Sequence, residues 1–171
     1  MNSSTLGIAG LALALATAPA AAQAPTATPD AKTVMSQLAG TWQFALYQTG
    51  RNTPVSTGRR EMHLLADSVK LAWTETFDGR AADGSGFLGY DAGAGAFYLM
   101  GVQAGTHAPM FLVGHAGDGA IQFDPAASPG GLANRPGVYV ASSVRLVDRD
   151  HFEWLAADGR WRVEFTRVAE L

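Results

Sequence analysis

From residue 41 onward the chain is a succession of short runs in which apolar and polar residues alternate, separated by glycine-containing turns. A period of two marks strands with one buried face. Residues 41–49 place Trp42, Phe44 and Leu46 on one side and Gln43, Ala45, Tyr47 and Thr49 on the other. A second strand is predicted over 59–66, and a third over 69–77, where Val69, Leu71, Trp73, Glu75 and Phe77 share a face. The pattern continues over 86–91, 96–103, 109–115 and 120–124, is interrupted by "DPAASPGGLANRPG" (124–137), and resumes over 138–146, 151–156 and 160–168. Asp158–Gly159 favours a tight hairpin between the last two strands. "DAGAGA" (91–96) and "HAGDGA" (115–120) read as one hairpin chemistry used twice. Ahead of the strands, Asp30 is a candidate N-cap, Val34, Met35 and Leu38 form an apolar stripe, and Gly40 is a stop: one short helix.

Roughly ten antiparallel strands with clean alternation suit either a sandwich or an up-and-down barrel. The last strand separates the two. In "RWRVEFTRV", Arg167 falls on the same side as Trp161, Val163 and Phe165. A guanidinium turned toward a core must be paired, hydrogen-bonded or stacked. If the meander closes, the last strand lies beside the first, and Trp42 and Arg167 both point inward near one end. The guanidinium then stacks on the indole, and its donors cap carbonyls of the incoming helix. An open sandwich brings no such pair together. The alternative is that Arg167 lies past the ordered strand and reaches water.

"AGTW" (39–42) after a short helix, with the late arginine of "VEFTR" (163–167), resembles the lipocalin-like (calycin) barrels. In those, a Gly-x-Trp on the first strand packs against an arginine near the chain end. "GFLGYD" (86–91), "VDRDHFEW" (147–154) and the "EFTR" ending also resemble a bacterial domain-of-unknown-function family placed in that group. The resemblance covers most of 35–168 and implies an all-β, up-and-down antiparallel barrel of about 8–10 strands with one short N-terminal helix. Trp42 and Arg167 would then be the residues that close it. The chain lacks the cysteines of many secreted lipocalins, and the glycine-rich opening motif of the haem-binding nitrobindin branch. No cofactor is therefore expected.

Residues 6–17, "LGIAGLALALAT", followed by the small-residue stretch "APAAAQA", read as a signal peptide over 1–22, although "MNSS" supplies no Lys or Arg. The run is shorter and less hydrophobic than the ~20 strongly apolar residues of a spanning helix. Export is the expectation, to a periplasm if the source is Gram-negative, with no integral membrane segment after cleavage. "QAPTATPDAK" (23–32) is predicted to be a flexible leader, and 33–171 the barrel domain. About 149 residues would remain after cleavage, enough for one core without disulfides. There is no cysteine, so neither a lipidated cysteine nor a disulfide exists. A net charge of −3 without a basic cluster makes nucleic acid and anionic membrane surfaces poor partners.

Candidate chemistry is sparse. Among the residues expected inside, Glu75 is the one that core packing does not explain. A carboxylate among Leu71, Trp73 and Phe77 must find a donor or hold its proton. A one-residue slip, or a place at the rim, would put it in water instead. His63 lies on the strand next to that of Glu75, whereas His107, His115 and His151 fall in loops, turns or strand ends. Their spacings match no metal pattern, and no metal is expected. "DGSGF" is not a nucleophile elbow, and no phosphate-binding loop is present. The first expectation is therefore a barrel binding a small, mostly apolar molecule, with Glu75, His63, Trp73 and Phe77 lining the site. The second is a structural or interaction module of the envelope with a filled barrel. The third is a cavity enzyme using Glu75 and His63 as an acid–base pair. Ligand identity and oligomeric state are not written in the sequence.

Overall fold

The computed structural model describes residues 30–79, 83–103, 108–126 and 139–169. The predicted signal peptide, most of the predicted leader, His107 and most of the long loop lie outside the described residues. The helix α1 spans Ala31–Leu38, so Ala31 and Lys32 belong to it rather than to the leader. It begins where Asp30 accepts a hydrogen bond from the Thr33 amide (3.2 Å), which satisfies one of the free N–H groups of the first turn. It ends with the Ala39 amide bonded to Met35, followed by Gly40 at φ 127°, a conformation that disfavours any side chain. A Cβ at Gly40 would also meet the Arg167 guanidinium. Among the described residues no helix is long and apolar enough to cross a membrane.

Ten antiparallel strands follow: β1 Gly40–Gln48, β2 Ser56–Leu64, β3 Lys70–Phe77, β4 Asp83–Asp91, β5 Ala96–Val102, β6 Pro109–Gly117, β7 Ala120–Pro125, β8 Ser142–Leu146, β9 His151–Ala156 and β10 Trp161–Arg167. Each pairs with its neighbours in sequence, and β10 pairs with β1, closing the barrel. The fold is an all-β up-and-down barrel with one short helix. Closure removes the exposed strand edges that an open sheet would present.

Three strands start three or more residues away from the alternation-based reading; β4 starts at Asp83 rather than 86. β2 starts at Ser56 because Ser56, Thr57 and Gly58 pair with Leu46, Ala45 and Phe44 of β1, although they show no apolar alternation of their own. β8 starts at Ser142 rather than 138; Tyr139 and Val140 precede it as irregular backbone.

The interior is aromatic. Phe152 and Phe165 stack at 4.1 Å, and Trp42 meets Phe152 edge-on at 4.7 Å. Val34, Met35 and Leu38 of α1 are buried in the same cluster and occupy the barrel end where Trp42 lies. Several glycines sit inside strands, where they make room for rings. Gly58 faces Phe44, Gly114 faces Phe123, and the cross-strand pair Gly86 and Gly101 flanks the indole of Trp73. The outer surface is mostly polar and ion-paired. The outward side of β4–β6 differs, with Phe87, Tyr98, Met100, Phe111 and Val113 grouped together.

Candidate functional site

One inward row crosses four strands. Arg167 of β10 stands opposite Trp42 of β1, Trp42 opposite Arg60 of β2, and Arg60 opposite Glu75 of β3. Its two halves differ in role.

At the α1 end, the Arg167 guanidinium lies 4.1 Å over the Trp42 ring. It donates to the carbonyls of Ala39 (2.7 Å), Gln37 (2.7 Å) and Arg149 (3.1 Å). The Trp42 indole N–H donates to Leu38 (2.8 Å). Carbonyls left free at the end of α1 thus receive donors from the barrel, which fixes the helix against it. No space for a ligand is required by this arrangement.

Farther in, Arg60 and Glu75 form an ion pair of 2.5 Å, their side chains only 8 % and 2 % exposed. The guanidinium carbon lies 4.9 Å from the Phe165 ring, 5.1 Å from Trp73 and 5.5 Å from Trp154. An aromatic cage of this kind suits a weakly hydrated cation. Beside the pair is a cavity of about 260 Å³ that extends away from α1 toward the ends of β1 and β3. Phe44, Phe77, Trp154, Trp161 and Tyr139 contribute to its walls, and among the described residues Arg60 and Glu75 are its charged members. Two wall groups are tied down: Trp154 Nε1 donates to Ser142 Oγ (3.0 Å), and the Tyr139 hydroxyl donates to the Ala108 carbonyl (2.7 Å). Among the described residues Arg60 Nε and Trp73 Nε1 are buried without a hydrogen-bond partner.

Of the residues singled out from sequence, Glu75 and Phe77 line the cavity. Trp73 is buried beside Arg60, seated between Gly86 and Gly101, and is not part of the cavity wall. His63 requires a correction. Strand parity puts Arg60 and Met62 inside and Glu61 and His63 outside, so the His63 side chain is 70 % exposed. Its nearest charged partner is Glu61 at 3.7 Å, and it pairs across the sheet with Ala72, three positions from Glu75 and on the opposite face. The two cannot act as an acid–base pair. His115 and His151 are exposed, His151 bonding Asp148 at 2.9 Å. Among the described residues no three His, Asp or Glu side chains are grouped to hold a metal ion.

Arg60 was missed. The signal was in "GRREMH", residues 58–63, because adjacent residues of a strand face opposite sides and one of Arg59 and Arg60 must point inward. Met62 shares parity with Arg60 and identifies which.

No protein-family model matches the chain, and no curated protein matches it. Among solved structures, it is similar to a protein of unknown function of the DUF3598 family from Nostoc punctiforme, at a TM-score of 0.46 and 15% identity. The similarity covers 78% of this chain and 49% of that one, so this chain spans about half the length of that protein.

Proposed function

We propose that the chain is an exported, lipocalin-like barrel that holds a small, mostly apolar molecule in its interior. The observation that carries this reading is the aromatic cavity of about 260 Å³ with a buried Arg60–Glu75 pair in its wall. A mostly apolar pocket with a few placed polar groups is the usual form of a small-molecule site. A buried ion pair contributes little net stability against well-packed apolar side chains of the same volume. Polarity inside the barrel is therefore better accounted for by recognition than by folding. Export rests on the apolar 6–17 stretch and the small residues after it. Trp42 and Arg167 serve closure, Glu75 and Phe77 the pocket.

Native mass spectrometry of the protein, purified gently from the envelope of its own host, tests this. A mass excess lost on denaturation is expected, together with an N-terminus that begins after Ala20 or Ala22. A bare mass, unchanged after incubation with envelope lipid extract and with small aromatic ketones and esters, would leave a filled structural barrel instead.

A further inference from the structure

We propose that the outward apolar face of β4–β6 docks a second copy of this chain, the two copies being related by a twofold axis along β5. This goes beyond the interior-binding reading and does not depend on it. The face differs from the rest of the exterior. Phe87 and Val102 are 44% and 40% exposed, and Tyr98, Met100 and Val113 lie beside them, half-buried. The Tyr98 ring lies over Gly89, so the strand position without a side chain is covered by aromatic surface as well. A contiguous apolar patch on an otherwise polar exterior marks an interaction site.

The charges around the patch select the partner. One outward row runs from Lys70 of β3 through Gly89, Tyr98 and Val113 to Asp124 of β7. Lys70 and Asp124 thus stand two strands to either side of Tyr98, with opposite charge. In the adjoining outward row, Asp91 of β4 stands opposite Ala96 of β5, and His115 of β6 follows Gly114, the partner of Phe97. Asp91 and His115 therefore flank β5 one strand to either side. A twofold axis along β5 exchanges β4 with β6 and β3 with β7. It brings Lys70 of one copy to Asp124 of the other, Asp91 to His115, and Met100 to its own counterpart. Neither row sets like charges against each other. Lys70 also holds Asp67 (2.6 Å), an exposed pair in which two of its three N–H groups remain for a partner. The turn amides of Gly93 and Ala94 occupy one carboxylate oxygen of Asp91. Lipid fits less well, because a lipid-facing barrel carries its apolar band around the circumference. Here the patch lies on one side, flanked by Lys70, Asp91 and Asp124. The stretch "QAPTATP" (23–29) has no large apolar side chain with which to cover it. The outer face of a closed barrel is convex, so the interface is small, at or below about 1,200 Å², and the dimer is weak, with a Kd of about 10–100 µM.

Sedimentation velocity of the protein purified from its own host, from about 1 to about 500 µM, brackets that Kd and should show a monomer giving way to a dimer. Lys70→Glu and Asp124→Lys each set like charges against each other at both symmetry-related contacts, and each should weaken the dimer about tenfold. An equimolar mixture of the two variants is the decisive sample. There the introduced carboxylate of one copy meets the introduced ammonium of the other, and the second contact is the native Lys70–Asp124 pair. The mixture should therefore dimerise within about threefold of wild type, a rescue that only a contact exchanging these two positions produces. Absence of rescue would overturn the axis along β5. A wild-type protein that stays monomeric throughout would overturn the docking itself, and one that stays monomeric while binding phosphatidylcholine vesicles would give the face to lipid instead. If either charge variant fails to fold, Met100→Lys, which sets two ammonium groups together on the axis, should be a folded monomer. Dimerisation of Met100→Lys at the wild-type Kd would overturn the proposal.

Discussion

Arg60 and Arg167 are both arginines on the inward parity of their strands, yet the structure uses them differently, and substitutions should separate them. Arg167 spends its donors on three main-chain carbonyls and its flat face on Trp42. Arg167→Ala is expected to cost about 2 kcal/mol in urea unfolding, the combined scale of one stack and charged hydrogen bonds at a partly exposed site. Arg167→Lys should recover less than half of it, since an ammonium cannot reach several carbonyls and stack at once. Recovery by lysine to the wild-type value would show that charge alone matters there. Arg60 is different because its partner is an equally buried charge. Arg60→Met alone takes the guanidinium away from a buried carboxylate and should cost about 3–5 kcal/mol, whereas Arg60→Met/Glu75→Leu should restore most of it. Additive losses in the double variant would mean that the pair is not coupled. The contrast also explains what the sequence made legible. Arg167 is conspicuous because it follows an unbroken alternation of Trp161, Val163 and Phe165. Arg60 sits between Arg59 and Glu61 in a run that looks like a solvated face, and only the register with Trp42 and Glu75 assigns its side.

At the scale of strands and turns, alternation located all ten strands but not every boundary, and the reason is physical. Ser56–Gly58 of β2 carry no apolar signal, and are held as strand by their pairing with β1. In β5, by contrast, Phe97 and Leu99 point inward while Tyr98 and Met100 lie on the outer apolar surface, so no face can be read from the run alone. Glycines carried a second meaning that turn statistics do not convey. Gly86 and Gly101 are mid-strand partners whose missing Cβ atoms leave the space filled by Trp73. Gly86→Ala should cost about 2 kcal/mol by overpacking against Trp73 and the Met100 carbonyl, and Gly101→Ala more, because its φ of 155° adds backbone strain. Gly117→Ala, where nothing lies within 4 Å of the added carbon, should stay within about 0.5 kcal/mol. An effect at Gly86 no larger than that at Gly117 in thermal or chemical unfolding would refute the crowding at this site. The β8–β9 turn makes a pH prediction. The Asp148 carboxyl is held below its ordinary value, first by the Asp150 amide (2.7 Å) and then by the His151 ring (2.9 Å). A depressed folded-state value stabilises above the unfolded value and is lost as pH falls through the folded one. The difference in melting temperature between wild type and Asp148→Asn should therefore shrink as pH falls below about 4. A gap that widens as pH falls below about 4 would have the opposite sign and exclude this role.

For the molecule as a whole, closure decides where the barrel opens. An open sheet frays at its first and last strands, but here β1 and β10 pair along 42–48 and 161–167 and are pinned by Arg167 to α1. Among the described residues the least extensive seam lies between β7 and β8, which pair there through 120–123 and 142–145. β8 is also the shortest strand, and Ser142 at its start, with Tyr139 and Val140 just before it, belongs to the cavity wall. Local openings draw on regions of low local stability, and ligand entry uses the same openings when it must part the wall. Amide hydrogen exchange should therefore show β8 exchanging through an opening of lower free energy than β1 and β10, despite the terminal positions of the latter in the chain. A small apolar molecule bound in the cavity should slow β8 more than β4 or β5, because it stabilises the closed form by mass action. If β1 and β10 exchange first, the barrel opens at its closure seam and Arg167 is the gatekeeper of the interior. If β8 exchanges first and is the strand that the ligand protects, the chain has separated its two inward arginines by task, one holding the barrel shut and the other facing what the barrel holds.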